Sequence, residues 1–315
     1  MKSKRPLIRT IGIALKENDL HATRLLKRFS NLFLGFRDHY QFVLENHIPK
    51  EIAKSLPKGL FKLMSFSSLL DSSDLVLSIG GDGTILRCAR SLLASNRWAK
   101  TKLLGINAGH MGFLTFINPQ EADSSLALTL KYPNKARIEE RSCIEVKIER
   151  SGKILKKFQA LNDCVLSKGS LSRIFEFHVE VDREFLSSYR SDGLIVSTPT
   201  GSTAYNLAAG GSILEHTIPA LQLTPVCAQS LTAKPIVVSN KRQIVLSLGR
   251  HSTEVYLTID GHTGAKIQSK DRIHISKSDR CVQFLVPPNL SSLHYFPSLR
   301  QKLKWGTSLV FKGPA

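Results

Sequence analysis

The hydrophobic period changes once along the chain, near residue 131, and that change restricts the fold more than any other feature. Before it, short apolar runs alternate with stretches of helical spacing. Thr10–Leu15 reads as a buried strand, after which Ala22, Leu25, Leu26, Phe29, Leu32 and Phe33 recur at helical intervals. Tyr40–Leu44 reads as a second strand, and Asp74–Ile79 is an apolar strand running into Gly80-Gly81-Asp82-Gly83-Thr84. Ile85, Leu86, Ala89, Leu92 and Leu93 then fall on one face of a helix. Lys102–Ile106 is a further strand, and Pro119 is expected to open a helix through Leu130, because proline suits the first helical position. Strands alternating with helices require a largely parallel sheet covered on both faces.

After Tyr132-Pro133-Asn134 the period becomes two. Ile144, Val146 and Ile148 alternate with charged residues, as do Phe175, Phe177, Val179 and Val181, and later segments around 244–248 and 255–259. Such alternation marks half-buried antiparallel strands. The expected organisation is an α/β N-terminal domain with a largely parallel sheet (1–131), an all-β C-terminal domain (132–290), and a tail (291–315). Within the tail, Ser298–Trp305 has weak helical character and is expected to pack back on the first domain.

Composition narrows the function classes. At ~100–200 residues per domain, 315 residues suffice for two. With 42% hydrophobic and 22% charged residues, extensive disorder is excluded. No apolar run approaches the roughly 18–20 residues that cross a bilayer. Arg9 and Thr10 interrupt the basic N-terminus before any signal-peptide core forms, so a soluble cytoplasmic protein is expected. Cys88, Cys143, Cys164, Cys227 and Cys281 are scattered and odd in number, which fits a reducing compartment and supplies no CxxC pair. Asn289-Leu290-Ser291 matches a glycosylation acceptor, but without a secretory signal it is expected to be unused. The net charge of +19 concentrates at Lys2, Lys4, Arg5 and Arg9, in 131–157, and at Arg300, Lys302, Lys304 and Lys312. A surface of that sign favours polyanions without choosing among them.

No P-loop, HExxH or GxSxG occurs, and GxGxxG fails because Leu86 stands where its last glycine belongs. The informative stretch is Gly80-Gly81-Asp82-Gly83-Thr84, at the end of a parallel strand and the start of a helix, where open α/β sheets bind ligands. Glycines there permit positive φ and close approach of backbone N–H groups to an anion, and the helix N-terminus favours phosphate. An aspartate among them suits two tasks: taking a proton from an attacking hydroxyl, or holding Mg²⁺ beside phosphates. Three weaker stretches accompany it. Ser191–Tyr205 (SDGLIVSTPTGSTAY) offers short hydroxyl and backbone donors. Asn162-Asp163 follows a strand-like run. Gly105–Phe116 (GINAGHMGFLTF) is a glycine-broken loop ending in aromatics able to lie on a base.

In this order, GGDGT, NxGxxGFLTF, ND and SDGLIVSTPTGSTAY resemble the NAD kinase family, which makes NADP from NAD. The similarity spans most of 74–262 and continues faintly in LRQKLKWG; the long STPTGSTAY loop separates it from lipid kinases and phosphofructokinases that share GGDGT. The resemblance implies the α/β plus all-β architecture, Asp82 as proton acceptor, and Gly83 beside the dinucleotide. It implies NAD contacts from Asn162, Asp163, Arg173, Arg190 and Asp192, from Thr203, Ala204, Tyr205, Asn206, Leu207 and Ala208, and from His262, with Phe113 near the adenine. Many members have Glu at Asp163 and Gln at His262; Met111 replaces a usual Leu. A divalent metal ion (Mg²⁺), NAD, and ATP or polyphosphate as donor are implied, as is a homodimer or homotetramer without membrane or nucleic-acid partners. The alternatives are a lipid kinase of the diacylglycerol or sphingosine type and a non-catalytic dinucleotide- or polyanion-binding protein.

Overall fold

The computed structural model describes residues 8–109, 112–115, 117–169, 173–249, 254–290 and 295–305. Lys2, Lys4, Arg5, Met111, Phe116, Ser291 and Lys312, named above, lie outside the described residues.

The chain divides into two compact units: the described residues of Met1–Ser91, Lys100–Glu139 and Gln283–Ala315, and those of Leu92–Ala99 and Glu140–Val282. These limits differ from a simple cut near 131. The first unit contains β1 (Thr10–Leu15), α1 (Leu20–Leu34), β2 (Gln41–Glu45), α2 (Lys50–Ser55), β3 (Phe61–Met64), α3 (Phe66–Ser72), β4 (Leu75–Gly80), α4 (Asp82–Ala94), β5 (Lys102–Asn107) and α5 (Ala122–Lys131). Its strands lie parallel in the order β5-β4-β1-β2-β3. The chain winds outward from β1 through β2 and β3 and returns to β4 on the other side, so the order reverses between β1 and β4. Both strands are buried along nearly their whole length, as parallel strands covered on both faces must be.

Local chemistry sets the elements. Asp19 caps α1 by accepting from the His21 and Ala22 N–H groups at 2.8 and 3.0 Å. Ala22, Leu26, Phe29 and Phe33 of that helix are fully buried, and Phe33 stacks on Phe42 of β2 at 4.7 Å. The expected helix at Pro119 begins three residues later, at Ala122. Glu121 N–H bonds the Asn118 carbonyl and the Pro119 carbonyl accepts from Arg28, so Asn118–Glu121 closes as a turn before the helix starts. The segment from α2 through α3 had no clear periodic signal.

In the second unit, β6 (Arg137–Arg150), β7 (Lys153–Ala160), β8 (Asp163–Lys168), β9 (Phe175–Val181), β10 (Glu184–Ser191) and β11 (Gly193–Ser197) precede the short helix α6 (Tyr205–Ala208). After it come β12 (Ala220–Val226), β13 (Ile236–Ser239), β14 (Ile244–Leu248), β15 (Val255–Ile259), β16 (His262–Ile267), β17 (Asp271–Val286) and the terminal helix α7 (Tyr295–Leu303). One antiparallel sheet runs β13-β12-β11-β8-β15-β16, and β10-β9-β14-β17 pair antiparallel in another. Three two-residue hairpins, at Ser151-Gly152, Asp182-Arg183 and Asp260-Gly261, have positive φ at both turn positions. That geometry matches the right-handed strand twist. The end of β17 enters the first unit, where Phe284 pairs with Leu103 of β5 in parallel register, and α7 follows it there. All five cysteines are free thiols. The Asn289 amide donates to Ser125 Oγ at 3.0 Å, which engages it internally.

Candidate active site

In the first unit, β4 ends at Gly80 and α4 begins at Asp82, whose side chain crosses to the loop after β5. Its Oδ2 accepts from Phe113 N–H at 2.8 Å; its Oδ1 accepts from the N–H groups of Leu114 and Thr115 at 3.0 and 3.2 Å and from Thr115 Oγ1 at 3.2 Å. This explains one glycine of the NxGxxGFLTF loop: a Cβ on Gly112 would stand 1.8 Å from Asp82 Oδ1. Positive φ is not the reason for the GGDGT glycines, since none of Gly80, Gly81 and Gly83 adopts it. Gly80 is required by packing, with a Cβ 2.4 Å from Thr84 Oγ1, whereas Cβ atoms on Gly81 and Gly83 would meet only open space. The two backbone N–H groups are therefore approachable, as phosphate-cradling glycines must be.

Lys302, on α7, was missed as a site residue by sequence reasoning. Its Nζ lies 3.6 Å from Asp82 Oδ2 and 3.8 Å from the centre of the Phe113 ring. Phe113 thus presents one face to a cation rather than leaving both free for a base.

In the second unit the organiser is Asp260, also missed. Its carboxylate accepts from Leu161 N–H at 2.9 Å, Asn162 N–H at 2.7 Å and Asp163 N–H at 3.1 Å, and it is almost wholly buried. Asp260-Gly261 is the β15–β16 turn, so the residue that shapes this turn also fixes the Asn162-Asp163 backbone; the Asp-Gly dipeptide was its available signal. The STPTG segment packs on the same backbone. Thr198 N–H donates to Asn162 O at 2.8 Å and Thr198 Oγ1 to Leu161 O at 2.6 Å, while a Cβ on Gly201 would stand 2.1 Å from Asn162 O. Asn162, Asp163, the STPTG turn and the turn before His262 therefore form one cluster.

Within it, Asn162 Oδ1 is buried with no hydrogen-bond partner among the described residues. The Asp163 carboxyl is only 4% exposed. Burial, and then the neighbouring Asp260 charge, push it up to about 7. His262 is exposed beside the turn. Thr203, Ala204 and Leu207 are half-buried and Tyr205 and Ala208 exposed, but Asn206 is fully buried, its amide bonded to Ser202 O at 3.3 Å and Thr224 Oγ1 at 2.6 Å. Asp192 pairs with Lys168 at 2.9 Å. Arg173 and Arg190 are exposed; Arg190 lines a separate surface cavity of about 290 Å³ with Tyr189 and Lys234.

Residues 37–133 match the ATP-NAD kinase N-terminal domain and residues 161–286 the ATP-NAD kinase C-terminal domain. The chain belongs to the NAD kinase family. It is a phosphotransferase, and its reaction is the ATP-dependent phosphorylation of NAD to NADP. An NAD kinase of Cellvibrio japonicus is 36% identical over 303 residues, covering 96% of this chain and 97% of that protein. One of Neisseria meningitidis is 43% identical over 237 residues, covering 75% and 77%. Among solved structures, yeast NADH kinase in complex with NADH superposes with a TM-score of 0.87 at 22% identity, over 98% of this chain and 91% of that one. An NAD kinase from Archaeoglobus fulgidus in complex with ATP superposes at 0.68 and 22% identity, over 94% and 98%. These two likenesses bear on the fold: an NAD kinase α/β unit with a parallel sheet, and a β-rich unit.

Proposed function

We propose that in this NAD kinase the GGDGT unit carries the phosphoryl chemistry and the Asn162–Asp260 cluster carries dinucleotide recognition. The reaction moves the γ-phosphoryl of ATP to the adenosine 2′-hydroxyl of NAD. The 2′-oxygen forms a bond to phosphorus, the bond from phosphorus to the β-phosphate oxygen breaks, ADP departs, and Asp82 accepts the hydroxyl proton. The observation that carries this assignment is the pinning of Asp82 by three backbone N–H groups at the mouth of an open glycine turn. A carboxylate so fixed is preorganised for one direction of proton transfer.

Gly81 and Gly83 present backbone N–H groups to the donor phosphates at the start of α4. Lys302 supplies a positive charge beside Asp82, where an approaching polyphosphate would otherwise meet a carboxylate. Asn162 Oδ1, unpaired among the described residues, and the buried Asp163 carboxyl offer hydrogen-bonding groups to hydroxyl or amide groups of NAD. Arg173, Arg190 and Asp192, with Thr203 to Ala208 and His262, extend recognition along the dinucleotide; the buried amide of Asn206 holds the shape of its loop.

Among the described residues no group of three His, Cys, Asp or Glu side chains converges as a metal cage, and Asp82 is the single carboxylate of the glycine turn. That donor set fits Mg²⁺ brought on the donor phosphates, since this ion binds through few carboxylates and keeps water and phosphate oxygens. Bound there, beside Asp82, it would neutralise phosphate charge. We further propose a cytoplasmic homo-oligomer without nucleic-acid partners, with inorganic polyphosphate as an alternative donor. No helix among the described residues is long and apolar enough to cross a membrane.

The test is NADP formation with NAD, ATP and Mg²⁺. Asp82→Asn is expected to lower kcat by about 10²–10⁴-fold with KM for NAD little changed. Lys302→Met is expected to raise KM for ATP and spare KM for NAD. Asp82→Asn with wild-type kcat and a raised KM would make Asp82 a binding residue instead.

A further inference from the structure

In β7 of the second unit every residue from Lys153 to Lys157 is exposed, including Ile154 at 44% and Leu155 at 49%. The strand pairs with β6 on one side, from Arg150↔Lys153 to Ile144↔Ala160, and among the described residues no strand pairs on its other side. We infer that this free edge is a docking site for an extended acidic segment of a partner protein, added to the sheet as a further strand. The inference is independent of the chemistry assigned to Asp82 and of the dinucleotide cluster.

Charge is the first argument. Lys153, Lys156 and Lys157 stand within five residues, and none has a carboxylate partner among the described residues. The acids of the facing stretch of β6 are engaged elsewhere: Glu145 pairs with Lys147, and Glu149 lies 2.9 Å from His274 Nε2. Arg150, beside the turn, is held by Asp271 at 2.6 Å. The β7 lysines are therefore left without counter-charge from their own hairpin. An anionic partner is attracted and steered by such a group.

The backbone is the second. A sheet edge presents N–H and C=O groups at strand spacing, and a peptide chain is what returns both. A phospholipid surface or a nucleic-acid backbone brings phosphate acceptors without the matching ladder of donors. A second copy of β7 would set lysines against lysines, and like charges facing across a strand pair are destabilising. The edge thus resists its own copy and admits the opposite charge.

Hairpin geometry is the third. The Ser151-Gly152 turn has positive φ at both positions and fixes the register of β6 on β7. At the inner end of β7, Ala160 is buried and Phe158 packs on the core of the second unit. The outer end is held extended from that anchor, so the site needs little ordering when a partner arrives. The register passes from Lys156 to Ile154, leaving Leu155 as an extra residue in a bulge. Ile154 and Leu155 offer apolar contact beside the lysines, which suits a segment whose carboxylates alternate with aliphatic side chains.

The test is fluorescence anisotropy of a short, labelled, end-blocked peptide of alternating Glu and Val added to the full-length protein. Saturable binding is expected. Replacing the central Val by Pro removes one N–H and keeps the charge, and should weaken binding by about tenfold. Amide exchange over Lys153–Lys157 should slow by about tenfold or more at saturating peptide. The combined variant Lys153→Glu, Lys156→Glu and Lys157→Glu should lose binding and keep wild-type NADP formation, which reports an intact fold. Absence of saturable binding would overturn the inference, leaving the lysines as guards against self-pairing. Equal affinity for the proline peptide, or for the combined variant, would overturn it too. So would binding to phosphatidylglycerol vesicles with no binding to the peptide, which would assign the lysines to a lipid surface.

Discussion

Replacing Asp260 by Asn tests whether one buried carboxylate holds the Asn162-Asp163 cluster, the proposed dinucleotide site, together. The change is nearly isosteric, and Asn tolerates the left-handed backbone found there (φ 47°). In the native protein Oδ1 serves Asn162 and Asp163 and Oδ2 serves Leu161. An amide oriented to keep the first two bonds turns its NH₂ toward the Leu161 N–H, leaving a buried donor unsatisfied at a cost of about 1–3 kcal/mol. The two retained bonds change from charge-assisted to neutral, a loss of about 1 kcal/mol each. Relief of the repulsion between Asp260 and the buried Asp163 offsets part of this. The net destabilisation is about 2 kcal/mol, which lowers Tm by roughly 4–8 °C for a unit of this size. Calorimetry at pH 8, where Asp163 is ionised, measures it, and a urea titration with unchanged slope identifies it as stability rather than altered compactness. KM for NAD should rise in the same variant, because the Asn162-Asp163 backbone loses its anchor. A Tm within 1–2 °C of wild type, about the smallest shift a 1 kcal/mol effect would give, would refute the assignment of Asp260 as organiser.

Two further outcomes are expected. Gly112→Ala forces a Cβ into the Asp82 carboxylate, so Asp82 must swing out of its N–H cradle; kcat should fall about 10²-fold or more with only modest loss of Tm, and wild-type turnover would show that the cradle is dispensable. Asp163 gives a pH signature: its carboxyl is pushed up to about 7 in the folded protein from an ordinary 3.8, so as pH rises from about 4 to about 7 the unfolded chain releases this proton first and stability falls. Asp163→Asn cannot ionise and should gain on wild type in urea midpoint between pH 5 and pH 8; parallel curves for the two proteins would show that Asp163 is not buried as described.

Much of the first unit was open to sequence reading because its signals are local. A buried strand, a glycine turn and a helix with one apolar face occupy consecutive residues from Leu75 to Ala94, so hydrophobic period alone locates Asp82 at a helix start. The region from Lys50 to Ser72 resisted the same reading: α2 and α3 are short, and β3 is an edge strand with half its residues exposed, so neither period develops. Pro119 misled because a residue's preference for a first helical turn does not say whether its carbonyl will be claimed elsewhere, here by Arg28.

What the sequence determined by itself was the kind of chemistry. GGDGT, the Asn-Asp pair and the STPTGSTAY loop carry the family, the order of α/β before β-rich structure, and the carboxylate at the glycine turn. Tertiary structure alone decided what those residues touch. Asp82 meets Phe113–Thr115 and Lys302, Asp260 meets Leu161–Asp163, and Arg87 meets Glu45, in each case across long stretches of intervening chain. Periodicity reports only how a residue faces its near neighbours. Partners brought together by strand order and hairpin register have no local signal, because the free energy that selects them is that of burying backbone N–H groups and charges with their partners satisfied.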